Sequence, residues 1–249
     1  MKIKDRAYYQ KRVAMQLGIL SDMGYKIDSD ATVLDLGCGN GNLVKAYREN
    51  GYESYGCDFQ FKEGPEVDVL FNSGIIRKIE GNPYKLPFEN DRIDFIVSDQ
   101  VFEHVQDYPA TLSEINRVLK PNGVSLHFFP SKYSLIEPHV YVPFASAIQH
   151  KSWLKLWALL GVRTPGQKKL KVDEVVKRNH TYLTNCTNYL SENEIIRNCA
   201  VYFKNIRFCE DYFFKYNQRV PYLYNLSKVM LFLPLVYSTL KSRVLFFSK

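Results

Sequence analysis

The sequence predicts an α/β fold, a doubly wound and mostly parallel sheet with an α-rich insertion after its fifth strand. Up to residue 130, short apolar runs of strand type alternate with helical patterns, which is typical of parallel sheets covered on both faces. A turn with three closely spaced glycines follows the first apolar run. Beyond residue 130 the alternation stops. We therefore expect a core with an N-terminal helix over 1–130, a helical insertion over 131–188, and completion of the core with a basic, aromatic tail over 189–249.

The elements of the predicted core follow one another in order. Asp5 to Gly24 has apolar residues at helical spacing and a closing glycine, which predicts an amphipathic helix. The remaining core segments comprise strands at 31–37, 53–59, 74–81, 92–99 and 124–130, and helices at 42–51 and 109–123. Pro121 and Gly123 are expected to end the last of these helices.

The second half contains fewer clear signals. We expect an apolar helix at 152–161, a basic loop at 166–178 and a strand at 201–210. Ser191 and Glu194 form a capping-box pattern that predicts a helix start. The final stretch mixes apolar and basic side chains, which predicts either an interfacial helix that contacts a membrane surface or an aromatic second core. These side chains are Phe232, Leu233, Lys241, Arg243, Phe246 and Phe247.

Composition narrows the class of protein. Hydrophobic residues make up 46% and charged residues 24%, which are ordinary globular values. The net charge of +7 is compatible with an anionic partner or simply with solubility. We expect no nucleic-acid partner, because no continuous basic stripe interleaved with aromatic residues is present.

Cysteine usage and the N-terminal segment indicate the compartment. The five cysteines form no CxxC pair and no Cys/His cluster at zinc spacing, so the sequence predicts neither a disulfide framework nor a metal site. Residues 1–18 lack the apolar segment of a secretory signal. The stretch from Lys228 onward is too short and too interrupted to cross a bilayer. We expect a cytoplasmic protein.

The glycine turn, in "VLDLGCGNG", indicates a ligand site. Gly37, Gly39 and Gly41 allow positive φ angles and a close approach of ligand to backbone at the carboxyl edge of the sheet. A dinucleotide-binding turn needs glycine or alanine where Asn42 stands. Asp35, two residues before the first glycine, is poorly placed for a pyrophosphate but could bind a cation or an ammonium group.

Four ordered segments over about residues 30–130 carry a family resemblance. "VLDLGCGNG" resembles motif I of the class I S-adenosylmethionine-dependent methyltransferases, and "YGCDF" resembles their second strand. "EGNPYKLPFENDRIDFIVSDQVFEHV" and "INRVLKPNGVSLHFFP" resemble the later motifs of the small-molecule, type 11-like branch. The resemblance implies the Rossmann-like class I methyltransferase fold, S-adenosylmethionine as cofactor and methyl transfer as the activity.

The resemblance also implies roles for individual residues. Asp58 should accept both ribose hydroxyls, Phe59 should pack on the adenine, and Gln100 should face the methionine end and the substrate. Asn82, followed by Pro83, stands where the family has an acidic residue near the adenine amino group. The cofactor-binding set is then Asp35, Gly37, Cys38, Gly39, Asp58, Phe59, Asn82, Pro83 and Gln100.

The acceptor and the base are less well defined. Transfer to a hydroxyl needs a base within hydrogen-bond reach, and the candidates are His104, Glu137, His139 and His180, of which we favour the first three. His104 could instead make a local hydrogen bond, and Glu137 to His139 could be an ordinary turn around Pro138. The segment 131–144 resembles methyltransferases of surface-polysaccharide synthesis, which implies a sugar hydroxyl of a glycan or glycolipid. The alternatives are a quinone or amine acceptor and a non-catalytic relative that binds the cofactor or has lost it.

Overall fold

In the computed structural model, which describes residues 5–216, 221–230 and 232–249, a seven-stranded sheet forms the centre of the protein. The strands of the described chain are β1 (Thr32–Leu36), β2 (Glu53–Asp58), β3 (Ile76–Lys78), β4 (Glu80–Gly81), β5 (Tyr84–Lys85), β6 (Ile93–Asp99), β7 (Leu119–Pro130), β8 (Lys204–Phe208) and β9 (Ser242–Ser248). The sheet order is β3-β2-β1-β6-β7-β9-β8, and β4 pairs with β5 in a separate hairpin. Because only β9 runs against its described neighbours, the predicted mostly parallel sheet is confirmed.

Helices cover both faces of this sheet. The α-helices of the described chain, including α5 and α6, which pack apart from the sheet, are α1 (Arg6–Asp22), α2 (Asn42–Glu49), α3 (Pro65–Asn72), α4 (Tyr108–Val118), α5 (Lys151–Leu159), α6 (Val172–Cys186), α7 (Glu192–Cys199), α8 (Glu210–Tyr216), α9 (Pro221–Val229) and α10 (Leu233–Leu240). Val33 of β1 packs into the core on the α1 face, whereas Leu34 and Leu36 pack into the core on the α4 face. The alternation of strand side chains therefore builds two cores from one sheet.

The order of the strands creates a crevice at one edge. The chain passes from β1 outward to β2 and β3, then returns to the other side of β1 with β6. Ligands of open α/β sheets bind at such a reversal, outside the carboxyl ends of the strands. Here those ends are Leu36 before the glycine turn, Asp58 of β2 and Asp99 of β6.

Two predicted boundaries are wrong. The helix predicted to reach Gly123 ends at Val118, because the chain enters β7 at Leu119, which pairs with Ile93. Regular pairing resumes at Val124, so the predicted breakers lie in an irregular stretch of the strand. The basic loop predicted at 166–178 is wrong from Val172 onward, where α6 begins with acidic residues in its first turn and buries an apolar face.

The capping box and the apolar helix of the second half are confirmed. The Ser191 side chain bonds to the third residue of α7, and the Glu194 side chain returns to the Ser191 backbone. Helix α5 covers most of the predicted 152–161. It packs with α6 and with residues 140–145 in a hydrophobic cluster separate from the two cores of the sheet.

An interfacial helix over the whole final stretch is wrong, because residues 242–248 form strand β9. Phe246 and Phe247 are 1% and 0% exposed and pack on opposite faces of the sheet. Exposed apolar side chains in this stretch lie instead at Phe232 and along α10, at Leu235, Val236 and Leu240. Among the described helices none has the length and apolar character needed to cross a membrane.

Candidate active site

The glycine turn after β1 is fastened to the end of β2. The amides of Gly37 and Cys38 donate to the carbonyl oxygen of Cys57, at 2.8 Å and 3.1 Å. The Gly39 amide donates to Oδ2 of Asp58 at 2.8 Å. Gly37 and Gly39 have φ of 76° and 54°, which L side chains rarely adopt. A Cβ on Gly37 would collide with Val101, whereas one on Gly39 would project into open space.

A cavity of about 680 Å³ opens beside this turn. It holds seven predicted site residues, namely Gly37, Asp58, Phe59, Asn82, Pro83, Gln100 and His104. The Phe59 ring is 51% exposed and leaves a flat apolar face beside the Asp58 carboxylate. A carboxylate that can accept two hydroxyl donors next to an aromatic surface fits the nucleoside half of S-adenosylmethionine.

A smaller cavity of about 130 Å³ shares Gly37 with the first and contains the predicted Asp35, Cys38 and Gly39. Asp35 is buried, and burial, with repulsion from Asp99 and Asp58, raises its pKa well above the usual range. A cation placed there would offset this cost, so the cavity fits the ammonium end of the cofactor. The Cys38 side chain packs against Gly56 and Val44, which leaves its backbone for the ligand.

Sequence reasoning missed several residues of the smaller cavity. Tyr8, Tyr9 and Arg12 reach it from α1, and Asp99 reaches it from the end of β6. The Arg12 Nη2 atom lies 3.0 Å from Oδ2 of Asp99, and its guanidinium lies over the Phe128 ring. Asp99 could have been found, because it ends an apolar strand at the expected crevice; Arg12 carries no such signal.

Three of the predicted base candidates, His104, Glu137 and His139, lie together, and His104 lines the first cavity, whereas the fourth, His180, lies on α6 and lines neither cofactor cavity. The rings of His104 and His139 are 4.9 Å apart between centroids. Oε1 of Glu137 accepts from Nδ1 of His139 at 2.7 Å and from the hydroxyl of Tyr189 at 2.7 Å. Glu137 therefore fixes the orientation of His139. Residues from three separate segments form one group, the polar cluster, which consists of Glu103, His104, Glu137, His139 and Tyr189.

The carboxylates of this cluster have opposite electrostatic environments. Burial disfavours ionised Glu137, but hydrogen bonds from His139, Tyr189 and the Val140 amide outweigh it and lower the pKa of Glu137. Glu103 was not among the predicted site residues. It is 1% exposed, and burial raises its pKa to about 8. Burial also lowers the pKa of His104, so this imidazole is neutral near pH 7.

A third cavity, which we name the apolar groove, has a volume of about 680 Å³ and meets the first at Gln100. Gln100 adopts φ of 62°, and its backbone N–H donates to the Phe128 carbonyl oxygen at 2.7 Å. The groove is lined by Gln100, Pro130, Ser134, Leu135, Ile136, Pro138, Leu233, Val236, Tyr237, Leu240, Lys241 and Ser242. Pro138 lies between Glu137 and His139, so the groove borders the polar cluster as well as the cofactor cavity.

Comparison with known proteins identifies the family. Residues 6–172 match the methyltransferase domain family. The chain is 29% identical over 173 residues to the demethylmenaquinone methyltransferase of Staphylococcus aureus strain JH9, over 61% of this chain and 68% of that protein.

Two solved structures share the fold. An S-adenosylmethionine-dependent methyltransferase from Mesorhizobium loti superposes with a TM-score of 0.53 at 14% identity, over 98% of both chains. One from Archaeoglobus fulgidus has a TM-score of 0.53 at 13% identity, over 98% of this chain and 95% of that one. With the family match and a crevice that fits the cofactor, the chain belongs to the methyltransferase domain family and is an S-adenosylmethionine-dependent methyltransferase.

Proposed function

We propose that this enzyme methylates a sugar hydroxyl of a lipid-linked glycan intermediate. One observation carries the proposal: the cofactor cavity and the apolar groove meet at Gln100, with His104 and Pro138 on their walls. A hydroxyl at this junction would have an apolar channel on one side and the polar cluster on the other. The resemblance of segment 131–144 to methyltransferases of surface-polysaccharide synthesis supports the same class of acceptor.

The apolar groove suits the hydrocarbon chain of such an acceptor. Leu135 and Ile136 are 51% and 55% exposed on one wall, and Leu240 is 38% exposed on the other. Burying such side chains against a hydrocarbon chain is favourable by about 25 cal/mol for each Å² of apolar surface removed from water. Lys241 at the end of α10 supplies a positive charge for a phosphate group.

The cofactor is held by the residues of the two cavities that meet at Gly37. Asp58 and Phe59 bind the nucleoside, with Asn82 and Pro83 beside the adenine, and Asp35 binds the ammonium group. When bound, S-adenosylmethionine supplies an electrophilic methyl group. The turn residues Gly37, Cys38 and Gly39 contribute backbone rather than side chains, so the ligand can lie against the main chain.

The polar cluster activates the acceptor. A sugar hydroxyl has a high pKa and must lose its proton as its oxygen is methylated, so a group must accept the proton. His104 lines the cofactor cavity, and the His139 ring lies 4.9 Å from it between centroids. Nδ1–H of His139 donates to Glu137, which leaves Nε2 of His139 available. Glu137 is thus a positioning residue. We place the reaction in the cytoplasm, with α10 as the surface that contacts the membrane carrying the acceptor.

A second candidate is methylation of a prenylated quinone. The 29% identity to a demethylmenaquinone methyltransferase favours it, and a prenyl chain would fit the same groove. The two candidates differ at the reacting atom, because a ring carbon of a hydroquinone needs a different proton acceptor geometry from a sugar hydroxyl.

Transfer of a labelled methyl group separates the candidates. The enzyme is incubated with polyprenyl-diphosphate-linked oligosaccharides, with nucleotide sugars, and with a demethylated menaquinone. We expect labelled product from the lipid-linked sugars and little from the free nucleotide sugars. Label in the quinone alone would overturn the proposal in favour of the second candidate.

Two separate histidine substitutions, one in the polar cluster and one outside it as the control, test the role of the polar cluster in the reaction. His139→Asn should lose most turnover and keep its affinity for S-adenosylhomocysteine, since His139 lines neither cofactor cavity. His150→Asn should keep both, because His150 caps α5 away from the cluster and asparagine caps equally well. Equal activity of the two variants would remove the polar cluster from the reaction.

A further inference from the structure

Three side chains of the polar cluster converge as a set of potential metal ligands. Glu103, His104 and His139 each offer one ligand atom, and these atoms lie within 4.8 Å of one another. Oε1 of Glu103 is 3.9 Å from Nε2 of His104. Sequence spacing could not reveal the set, because His139 comes from the segment after β7 while the other two follow β6.

Both histidines are held in the tautomer that a metal ion requires. Nδ1 of His104 lies 2.6 Å from the carbonyl oxygen of Cys186, which can only accept, so this nitrogen carries the proton. Nδ1 of His139 donates in the same way to Glu137. In each ring the lone pair is then on Nε2. Metal-binding histidines in proteins commonly have this partner arrangement, with a carbonyl or carboxylate on the other nitrogen.

Glu103 is the second, independent observation. Its side chain is fully buried, yet neither carboxylate oxygen accepts a hydrogen bond within the part of the chain that the structure describes. A buried carboxylate without a partner is costly, and native proteins pair such groups or place them on a cation. Among the described residues, the basic group recorded within 4.0 Å of Oε1 is Nε2 of His104, at 3.9 Å, a distance too long for a hydrogen bond.

We propose that Glu103, His104 and His139 bind one divalent transition-metal ion. Two imidazoles and one carboxylate suit zinc, iron, cobalt or nickel better than magnesium or calcium, which prefer oxygen ligands. With bonds of about 2.1 Å, tetrahedral ligand atoms are about 3.4 Å apart, so the side chains need to close by about 1.5 Å at most. The side chains of His104 and His139 are 32% and 25% exposed, which gives the ion a path from solvent.

The role of the ion rests on the proposed function. Three protein ligands leave coordination positions open, as in catalytic zinc sites. An acceptor hydroxyl bound there would be held at the rim of the cofactor cavity, and the ion would lower its pKa so that its proton passes to water. The histidines then act through the ion instead of accepting the proton themselves.

Cobalt(II) titration of the chelator-stripped, untagged full chain tests metal binding without any turnover. The Cys186→Ser protein serves as the background, because Cys186 is the exposed one of the five cysteines and could bind cobalt itself. We expect one cobalt per chain, with visible d–d absorption, and the same stoichiometry for zinc by calorimetry. Absence of binding, or equal binding after Glu103→Gln and after His104→Asn, would overturn the proposal.

Variants around the set sharpen the result. Glu103→Gln should weaken binding by at least about 100-fold, and Glu137→Gln by about 10- to 100-fold, since Glu137 only orients a ligand. His150→Asn should bind as the background protein does. If circular dichroism shows that one of Glu103→Gln, His104→Asn and Glu137→Gln fails to fold, the other two still decide the question.

Activity then separates this inference from the proposed function. Full methyl transfer to lipid-linked sugars by chelator-stripped enzyme would overturn the role of the ion in the reaction and leave the proposed function standing. Stoichiometric metal binding by an enzyme that methylates no sugar would support the site and overturn the proposed acceptor.

Discussion

Replacing Gly39 by alanine tests whether the glycine turn is a cofactor site or only a tight connection. Gly39 has φ of 54° and nothing within 4 Å of an added Cβ, so the new methyl group would stand in the cavity beside Asp35. Gly51, at the end of α2, has φ of 89° and the same open surroundings, but lines none of the three cavities described above. Gly51→Ala is therefore the matched control.

The expected magnitudes follow from the backbone angles. An alanine in the left-handed region costs about 1 kcal/mol, which lowers the melting temperature of a chain of this size by about 2–4 °C in both variants. S-adenosylhomocysteine at 100 times its Kd stabilises a binding-competent protein by about 2.7 kcal/mol. Accommodating the extra methyl group of Gly39→Ala should cost about 1.4–2.7 kcal/mol of affinity, which is a 10- to 100-fold rise in Kd. Its ligand stabilisation should then fall to about 1.4 kcal/mol or less.

Differential scanning fluorimetry with and without S-adenosylhomocysteine, followed by calorimetric titration, measures both effects. We expect similar melting temperatures for the two ligand-free variants, a normal ligand shift for Gly51→Ala, and a Kd raised about 10- to 100-fold for Gly39→Ala. A wild-type Kd in Gly39→Ala would refute the placement of the cofactor against this turn.

Three further predictions concern buried charge. Asp35→Asn should raise the Kd for S-adenosylhomocysteine about 10- to 100-fold. Because Asp35 has a raised pKa and must lose its proton when an ammonium group binds, the affinity of the wild type should fall as pH decreases. The affinity of the variant should not change with pH, and calorimetric titration at several pH values measures both. Burial lowers the pKa of His127 to about 3, so urea midpoints of the wild type should fall as pH drops below about 6.5, where the unfolded histidine gains a proton. His127→Phe should lose this pH dependence but be about 1–3 kcal/mol less stable at pH 7.5, since the hydroxyls of Ser98 and Ser125 lose their hydrogen bonds to the ring. Arg243→Met should lower the free energy of unfolding by about 3–5 kcal/mol, because Glu210, 2.6 Å from Nε of Arg243, stays buried without its charged partner and keeps only the hydrogen bond from the Val244 amide. A double variant with Glu210→Gln should recover part of that loss.

The cofactor half of the molecule was predictable because its signals are local. The glycine turn, the strand before it and the acidic residue ending β2 lie within about thirty residues, and each carries a backbone or charge requirement visible in the sequence. The capping box of α7 is local in the same sense. Such features depend on neighbours in the chain, so pattern reasoning reached them.

The elements that were mispredicted depend on distant partners. The sequence of strand β9 alone indicates an apolar and basic tail. It forms a strand because it pairs with β7 on one side and β8 on the other. Arg12 enters the site only because α1 packs across the end of β6. The polar cluster forms when residues 137–139 return to the short 3₁₀ turn after β6, a contact that no spacing rule encodes. Tertiary packing, not local propensity, decided these positions.

The apolar groove is mechanically continuous with the sheet. Helix α10 forms one wall and passes through Lys241 directly into β9, while the carbonyl oxygens of Leu240 and Lys241 accept hydrogen bonds from Leu135 and Ser131. An acceptor bound in the apolar groove would restrict the motion of the connection between α10 and β9, and would slow amide hydrogen exchange along β9. Protection of the backbone amides of residues 242–248 from hydrogen exchange therefore measures acceptor binding without turnover or a labelled substrate.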